Sequence, residues 1–163
     1  MPGKNSSTFK ISLPSDLEIV MEREFDAPRE LVFKVWTEPE HVKRWWGCNA
    51  STMVSCQAEV RPGGQWRYVM QMPDGAQFPF KGEYRELSPP ERLVHTSIFD
   101  VEPYNAQEAI VTVVFEDLGG KTKITETTLY ISKEARDGHM NSGMEIGAAQ
   151  SLDKLEALLD GLA

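Results

Sequence analysis

From Leu17 to Phe25 the chain alternates, with apolar Ile19, Met21 and Phe25 separated by Glu18, Glu22 and Glu24. A period of two sends successive side chains to opposite faces, which predicts a strand with one buried face. Arg23 falls on the apolar side of that alternation. It either snorkels at an edge or pairs with a group inside. Asp26-Ala27-Pro28 then stops the strand and predicts a helix start, with Asp26 capping free amides and Pro28 suited to a first turn. Leu31, Val32, Val35 and Trp36 follow at helical spacing. Thr37-Glu38-Pro39 breaks that helix, and residues 39–46 fit a second short one ended by Gly47.

Six more strands are predicted, over 53–60, 65–72, 78–87, 92–99, 109–115 and 122–131. Arg61-Pro62-Gly63-Gly64, Pro73-Asp74-Gly75, Ser88-Pro89-Pro90 and Asp117-Leu118-Gly119-Gly120 punctuate them, and a looser acidic stretch follows Phe99. Short turns between neighbours imply antiparallel pairing, because parallel pairs need crossovers of about a dozen residues or more. After Ile131 the period changes. Ser132 can cap a helix, and Met140, Met144, Ala148, Ser151, Leu152, Leu155, Leu158 and Leu159 recur every three or four residues. This predicts one long helix over about 139–160, with a short turn at 133–137 and a break at Gly138. Its middle is small: Gly143, Gly147, Ala148 and Ala149. Residues 1–16, rich in Ser, Gly, Pro and Lys, are expected to form a flexible leader before a single domain spanning 17–163.

Seven antiparallel strands with helices gathered at the ends of the series define an α+β protein. One long helix cannot cover so wide a sheet unless the sheet curls around it. A curled sheet leaves a hollow, and hollows with apolar and aromatic linings are where small molecules bind.

The residues also carry a family resemblance. Phe25-Asp-Ala-Pro-Arg-Glu-Leu-Val-Phe33, Trp36-Thr-Glu-Pro-Glu-His41, Trp45-Trp-Gly47, Arg61-Pro-Gly-Gly64 with Trp66-Arg67, Gly82-Glu-Tyr84, Pro89-Pro-Glu-Arg-Leu-Val94 and Ser151-Leu-Asp-Lys-Leu155 resemble the heat-shock protein 90 ATPase activator homologue-like family. The match runs in order over about residues 17 to 160. It implies the START-like, birch-pollen-allergen-like helix-grip fold of the SRPBCC superfamily, a curved seven-stranded sheet wrapped around a long C-terminal helix. That scaffold serves lipid carriers, hormone receptors, cyclases and co-chaperone domains, so the resemblance speaks to fold far more than to function. In the family a Trp often follows the glycine matched by Gly147. Here Ala148 follows it, which implies less bulk over the cavity.

Strand alternation nominates the lining. Trp66, Tyr68, Met70 and Met72 share one face, as do Phe78, Phe80 and Tyr84, with Gly82 between. Leu93, His95, Ser97 and Phe99 form the matching set on the next strand, although Val94, Thr96 and Ile98 are comparably apolar and the choice stays open. Val111, Val113 and Phe115 follow, then Ile124, Glu126, Thr128 and Tyr130, with Met140 and Met144 contributed by the helix. The expected ligand-binding lining is thus Trp66, Tyr68, Met70, Phe80, Tyr84, His95, Phe99, Val113, Glu126, Met140 and Met144. His95 and Glu126 stand out, because a carboxylate in an apolar hollow has its pKa raised by desolvation. They could satisfy one another or water, orient a ligand, or act with Arg23 or Tyr84 as an acid–base pair. Trp45-Trp46 either anchors the short helices or gates the cavity mouth.

Composition narrows the partners. Lys and Arg number 17 against 25 Asp and Glu, a net charge of −8, which disfavours nucleic acid and anionic membrane surfaces. Much of the acidity lies on outward strand positions such as Glu59 and Glu83. No run of about 18 apolar residues predicts a membrane span, and residues 1–15 lack the apolar core of a signal peptide. Cys48 and Cys56 have neither zinc spacing nor a second pair, which suits free thiols in the cytoplasm. No nucleotide cradle, metal motif or nucleophile elbow occurs, so no cofactor, no metal and no catalytic residue is expected. The leading expectation is a binding protein for a small hydrophobic, lipid-like ligand. A co-chaperone-like module, a cofactor-independent cyclase or hydrolase using His95 and Glu126, and self-association as a homodimer remain open.

Overall fold

The computed structural model describes residues 5–162, so Met1–Lys4 of the expected leader and Ala163 lie outside the described residues. Alternation from Glu18 onward produces β2 (Glu18–Phe25), with Ile19, Met21, Arg23 and Phe25 all buried. Two short helices follow, α1 (Arg29–Thr37) and α2 (Pro39–Trp45). The long series of strands comes next: β3 (Thr52–Ala58), β4 (Gln65–Gln71), β5 (Gln77–Ser88), β6 (Arg92–Phe99), β7 (Ala109–Asp117) and β8 (Thr122–Leu129). Then come α3 (Lys133–Met140) and α4 (Met144–Leu162).

The sheet is antiparallel throughout, in the order β1-β2-β8-β7-β6-β5-β4-β3. It has eight strands where seven were expected. The extra one, β1 (Lys10–Ser12), lies in the segment read as a leader and pairs with β2 through Ile11 and Met21. Three residues are too short to show alternation. The same segment is tied down by Asn5, whose backbone N–H donates to Glu156 Oε1 at 2.9 Å, and by Thr8, whose Oγ1 accepts from Glu24 N at 3.0 Å.

Two helix boundaries also differ from expectation. The cap position of α1 falls to Pro28 rather than Asp26, and Asp26 pairs with Lys121 at 3.1 Å. Gly138 lies inside α3, where the backbone bond from Asn141 N to Asp137 O spans it. A lone glycine within a helix costs only about 1 kcal/mol. The break falls instead at Asn141–Gly143, where Gly143 takes φ +84°, a conformation that side chains disfavour. Ser132 does cap α3, its Oγ accepting from Ala135 N at 3.1 Å.

The main core closes one end of the sheet. Phe25, Val32, Val35, Val113, Phe115, Ile124 and Leu155 are buried together between α1, the C-terminal half of α4 and the sheet. Phe33 and Trp36 flank Phe115 at 5.1 and 5.8 Å between ring centroids. Fully burying an apolar side chain of this size is worth about 1.5–3 kcal/mol. Beside this core sits Arg23, 1% exposed, reaching Asp153 at 2.7 Å and Glu156 at 3.6 Å on α4. Of the two readings of Arg23, pairing inside is the one the fold realises.

Candidate functional site

Away from the core, α4 turns its small residues toward the sheet. Gly147, Ala148 and Ser151 roof a cavity of about 320 Å³ whose floor is the inner face of β4 to β8. The mouth is formed by the end of α2 and the loop that follows it, through Trp45, Trp46, Gly47 and Cys48. Ser151 joins roof to mouth: its Oγ donates to Trp45 O at 3.0 Å and accepts from Gly47 N at 3.2 Å.

One wall is aromatic. Trp66 and Tyr68 alternate inward on β4 with ring centroids 4.7 Å apart, and Trp46 meets Tyr68 and Phe80 edge-on at 5.2 and 5.1 Å. Trp66 fits because its strand neighbour is Gly82. A Cβ there would stand 1.9 Å from Thr96 O and 2.5 Å from the Trp66 indole nitrogen. Trp45 instead points into the core and donates from Nε1 to Val35 O at 3.0 Å. Trp45 thus anchors α2 while touching the edge of the hollow, and Trp46 lines it.

The polar groups come from strand faces set by register. His95 pairs across β7 with Val111, which in turn pairs with Thr128, while Glu126 lies between Val113 and Met21. The open choice on β6 resolves toward Leu93, His95 and Ser97, which all line the cavity, whereas Thr96, itself buried, lies on the opposite face and accepts from Glu83 N. His95 uses Nδ1–H on Thr96 O at 2.9 Å. Desolvation lowers its pKa to about 4, against the pull of that bond, so the ring is neutral. Desolvation pushes the Glu126 carboxyl up to about 7. No hydrogen bond or ion pair joins Glu126 to His95 or to any other described residue. The two share the hollow two strands apart without forming an acid–base pair.

Seven of the expected lining residues are placed at the cavity: Trp66, Tyr68, Phe80, Tyr84, His95, Glu126 and Met144. Four are not. Met70 packs against Gly47 beyond the mouth, Phe99 stacks on Phe80 and Tyr104, Val113 belongs to the main core, and Met140 packs on the Ile19–Tyr130 cluster. The hollow is only as long as the small-residue segment above it, so strand positions beyond that segment are filled by packing. The residues that alternation missed come from helices and loops: Trp46, Cys48, Ser151 and His139. His139, at the end of α3, accepts a hydrogen bond from the Tyr130 hydroxyl. Burial keeps that pair neutral by raising the tyrosine and lowering the histidine. Lys154, distant from Cys48 in sequence, reaches Cys48 O at 3.4 Å.

Solved structures share this architecture. A Rhodobacter sphaeroides protein is 25% identical, with a TM-score of 0.87 over 95% of this chain and 99% of its own. A Nitrosomonas europaea protein is 27% identical, with a TM-score of 0.81 over 92% and 98%. The AHSA1 protein from Silicibacter pomeroyi, 22% identical with a TM-score of 0.74 over 90% and 99%, shares the fold. No curated protein matches the chain. The model of the family described as Activator of Hsp90 ATPase homolog 1-like protein matches residues 26–160, nearly all of the folded chain, and the chain belongs to that family.

Proposed function

We propose that this protein binds a small, largely hydrophobic molecule in the cavity between α4 and the sheet. The observation that carries the reading is the aromatic wall of Trp46, Trp66, Tyr68 and Phe80 facing about 320 Å³ of space under a helix segment too small to fill it. That volume stands at the lower end of the roughly 300–1,000 Å³ usual for small-molecule pockets. Cys48 and Cys56 are both free, which supports a cytoplasmic setting for this activity. None of the described helices is long and apolar enough to cross a membrane.

Organic extraction of natively purified protein, followed by thermal-shift screening of apolar compounds, tests the reading. At least one compound class is expected to raise Tm, and Ala148→Trp, which puts bulk into the roof, is expected to abolish that shift. A screen in which no apolar compound moves Tm disproves it.

The family description favours a second reading, docking on a chaperone ATPase. Adding the protein to a heat-shock protein 90 relative is then expected to stimulate ATP hydrolysis, and Ala148→Trp is expected to leave that stimulation intact. Unchanged hydrolysis removes the second reading.

A further inference from the structure

Among the described residues, Glu126 is the one carboxyl lining the cavity, and no Lys or Arg lines it. On the same sheet face stands the cation Arg23, two residues along β2 from Met21, the register partner of Glu126. It is committed to Asp153 and Glu156 on α4. The other titratable groups at the hollow are His139 on α3, Tyr130 after β8, His95 on β6, Tyr84 on β5, Tyr68 on β4 and Cys48 after α2. None of these is a cation at neutral pH, since burial holds both histidines neutral. A carboxyl without a partner in apolar surroundings is an unfavourable arrangement, and a fold tolerates it where the partner arrives from outside.

We propose that the cavity is built for an amine, with one ammonium nitrogen seated on Glu126 and an apolar body lying against Trp46, Tyr68 and Phe80. The inference rests on the ligand-cavity reading above. From β8, which carries Glu126, to β5, which carries Phe80, are three strand spacings, about 14 Å along the sheet and less across its curve. The ligand is therefore elongated, polar at one end and aromatic or alkyl at the other. Fatty acids and phosphorylated lipids are disfavoured, because inside the hollow their head groups would meet Glu126, while Lys154 at the mouth is bonded to Cys48 O.

Binding of an ammonium stabilises ionised Glu126, so its pKa falls in the complex. The free carboxyl, raised to about 7, is largely protonated near pH 6. Amine binding there releases a proton from Glu126 to the buffer and strengthens as pH rises toward about 8.

Calorimetric titration with phenylpropylamine, phenylpropanol and phenylpropionate, at about pH 6 and about pH 8 in buffers of different ionisation enthalpy, tests the proposal. At the higher pH the amine is expected to bind at least about tenfold tighter than the alcohol, a charge-assisted bond's worth, with the carboxylate weakest. Proton release is expected at the lower pH, and Glu126→Gln is expected to erase both the preference and the release. The wild-type release stands as a readout even if that variant folds poorly. Equal binding of amine and alcohol, or a preference that survives Glu126→Gln, overturns the amine inference and leaves the cavity reading standing. Alcohol binding with the amine excluded does the same and assigns Glu126 as a protonated donor. If none of the three binds, the amine inference fails, and the apolar screen separately decides the cavity reading.

Discussion

Arg23 and Glu126 stand on neighbouring strands of one sheet face, two residues apart in register, yet their surroundings are opposite. Around Arg23 the fold supplies counter-charge: two acidic side chains from α4, with the face of Phe25 at 5.4 Å and a closed apolar core beside them. Around Glu126 it supplies a cavity and, among the described residues, no counter-charge. A charge whose partners are built in serves cohesion. One whose partner is missing lowers stability when ionised and, on the amine proposal, gains its partner only when a ligand enters.

The largest effect is expected at the satisfied end. Arg23→Met removes the counter-charge from Asp153 and from the nearly buried Glu156, which keeps only its bond from Asn5 N, and should cost about 3–5 kcal/mol in urea unfolding. A loss below 1 kcal/mol, on the order of an exposed ion pair, would erase the contrast between the two regions.

Glu126→Gln is expected to move the other way. With a native pKa of about 7 against 4.5 in the unfolded chain, the folded state holds more protons between those values. Stability from this group is therefore full below about pH 4.5 and declines up to about pH 7, by on the order of 3 kcal/mol. Above pH 7 the variant should exceed the wild type by about that amount. His95 works in the opposite sense. Its native value of about 4 against 6.5 makes stability rise with pH across that interval, by a similar on-the-order-of 3 kcal/mol. The two slopes nearly cancel in the wild type between about pH 4.5 and 6.5. Glu126→Gln should expose the rising slope and His95→Leu the falling one, read from melting temperature against pH. Flat profiles in both variants would show that neither group is desolvated.

The smallest effect concerns the seam between the regions. Ser151→Ala removes the bonds to Trp45 O and Gly47 N and should cost about 1 kcal/mol. It should also speed ligand dissociation, measured by stopped-flow Trp fluorescence, more than it lowers stability.

The satisfied region was largely legible in the chain. Alternation from Ile19 to Phe25 predicted β2 and flagged Arg23 as an inward charge, because a period of two is a local property. Its partners were not legible, since Asp153 and Glu156 look like ordinary polar helix positions until α4 docks 130 residues later. The cavity was legible only on its strand side. Tyr84, His95 and Glu126 follow from pleat and register, whereas Trp46, Ser151 and His139 enter from helix ends and loops whose placement depends on docking. Gly138 misled the helix boundary because a glycine in sequence does not say whether its φ is positive. Gly143 next door is the one that needed it.

That break at Gly143 gives α4 the mechanics of a cantilever. Its root, from Ser151 to Leu159, is clamped by Leu152, Leu155 and Leu159 in the main core. Its tip, Met144 to Gln150, contains no fully buried residue and leaves Ile146 68% exposed. The cavity lies under the tip. A tilt about the root would change the height of the roof with only Met144 and Ala148 sliding on the Ile19–Tyr130 cluster, so on the proposed binding reading the size range of guests is set by the stiffness of one helix rather than by the sheet.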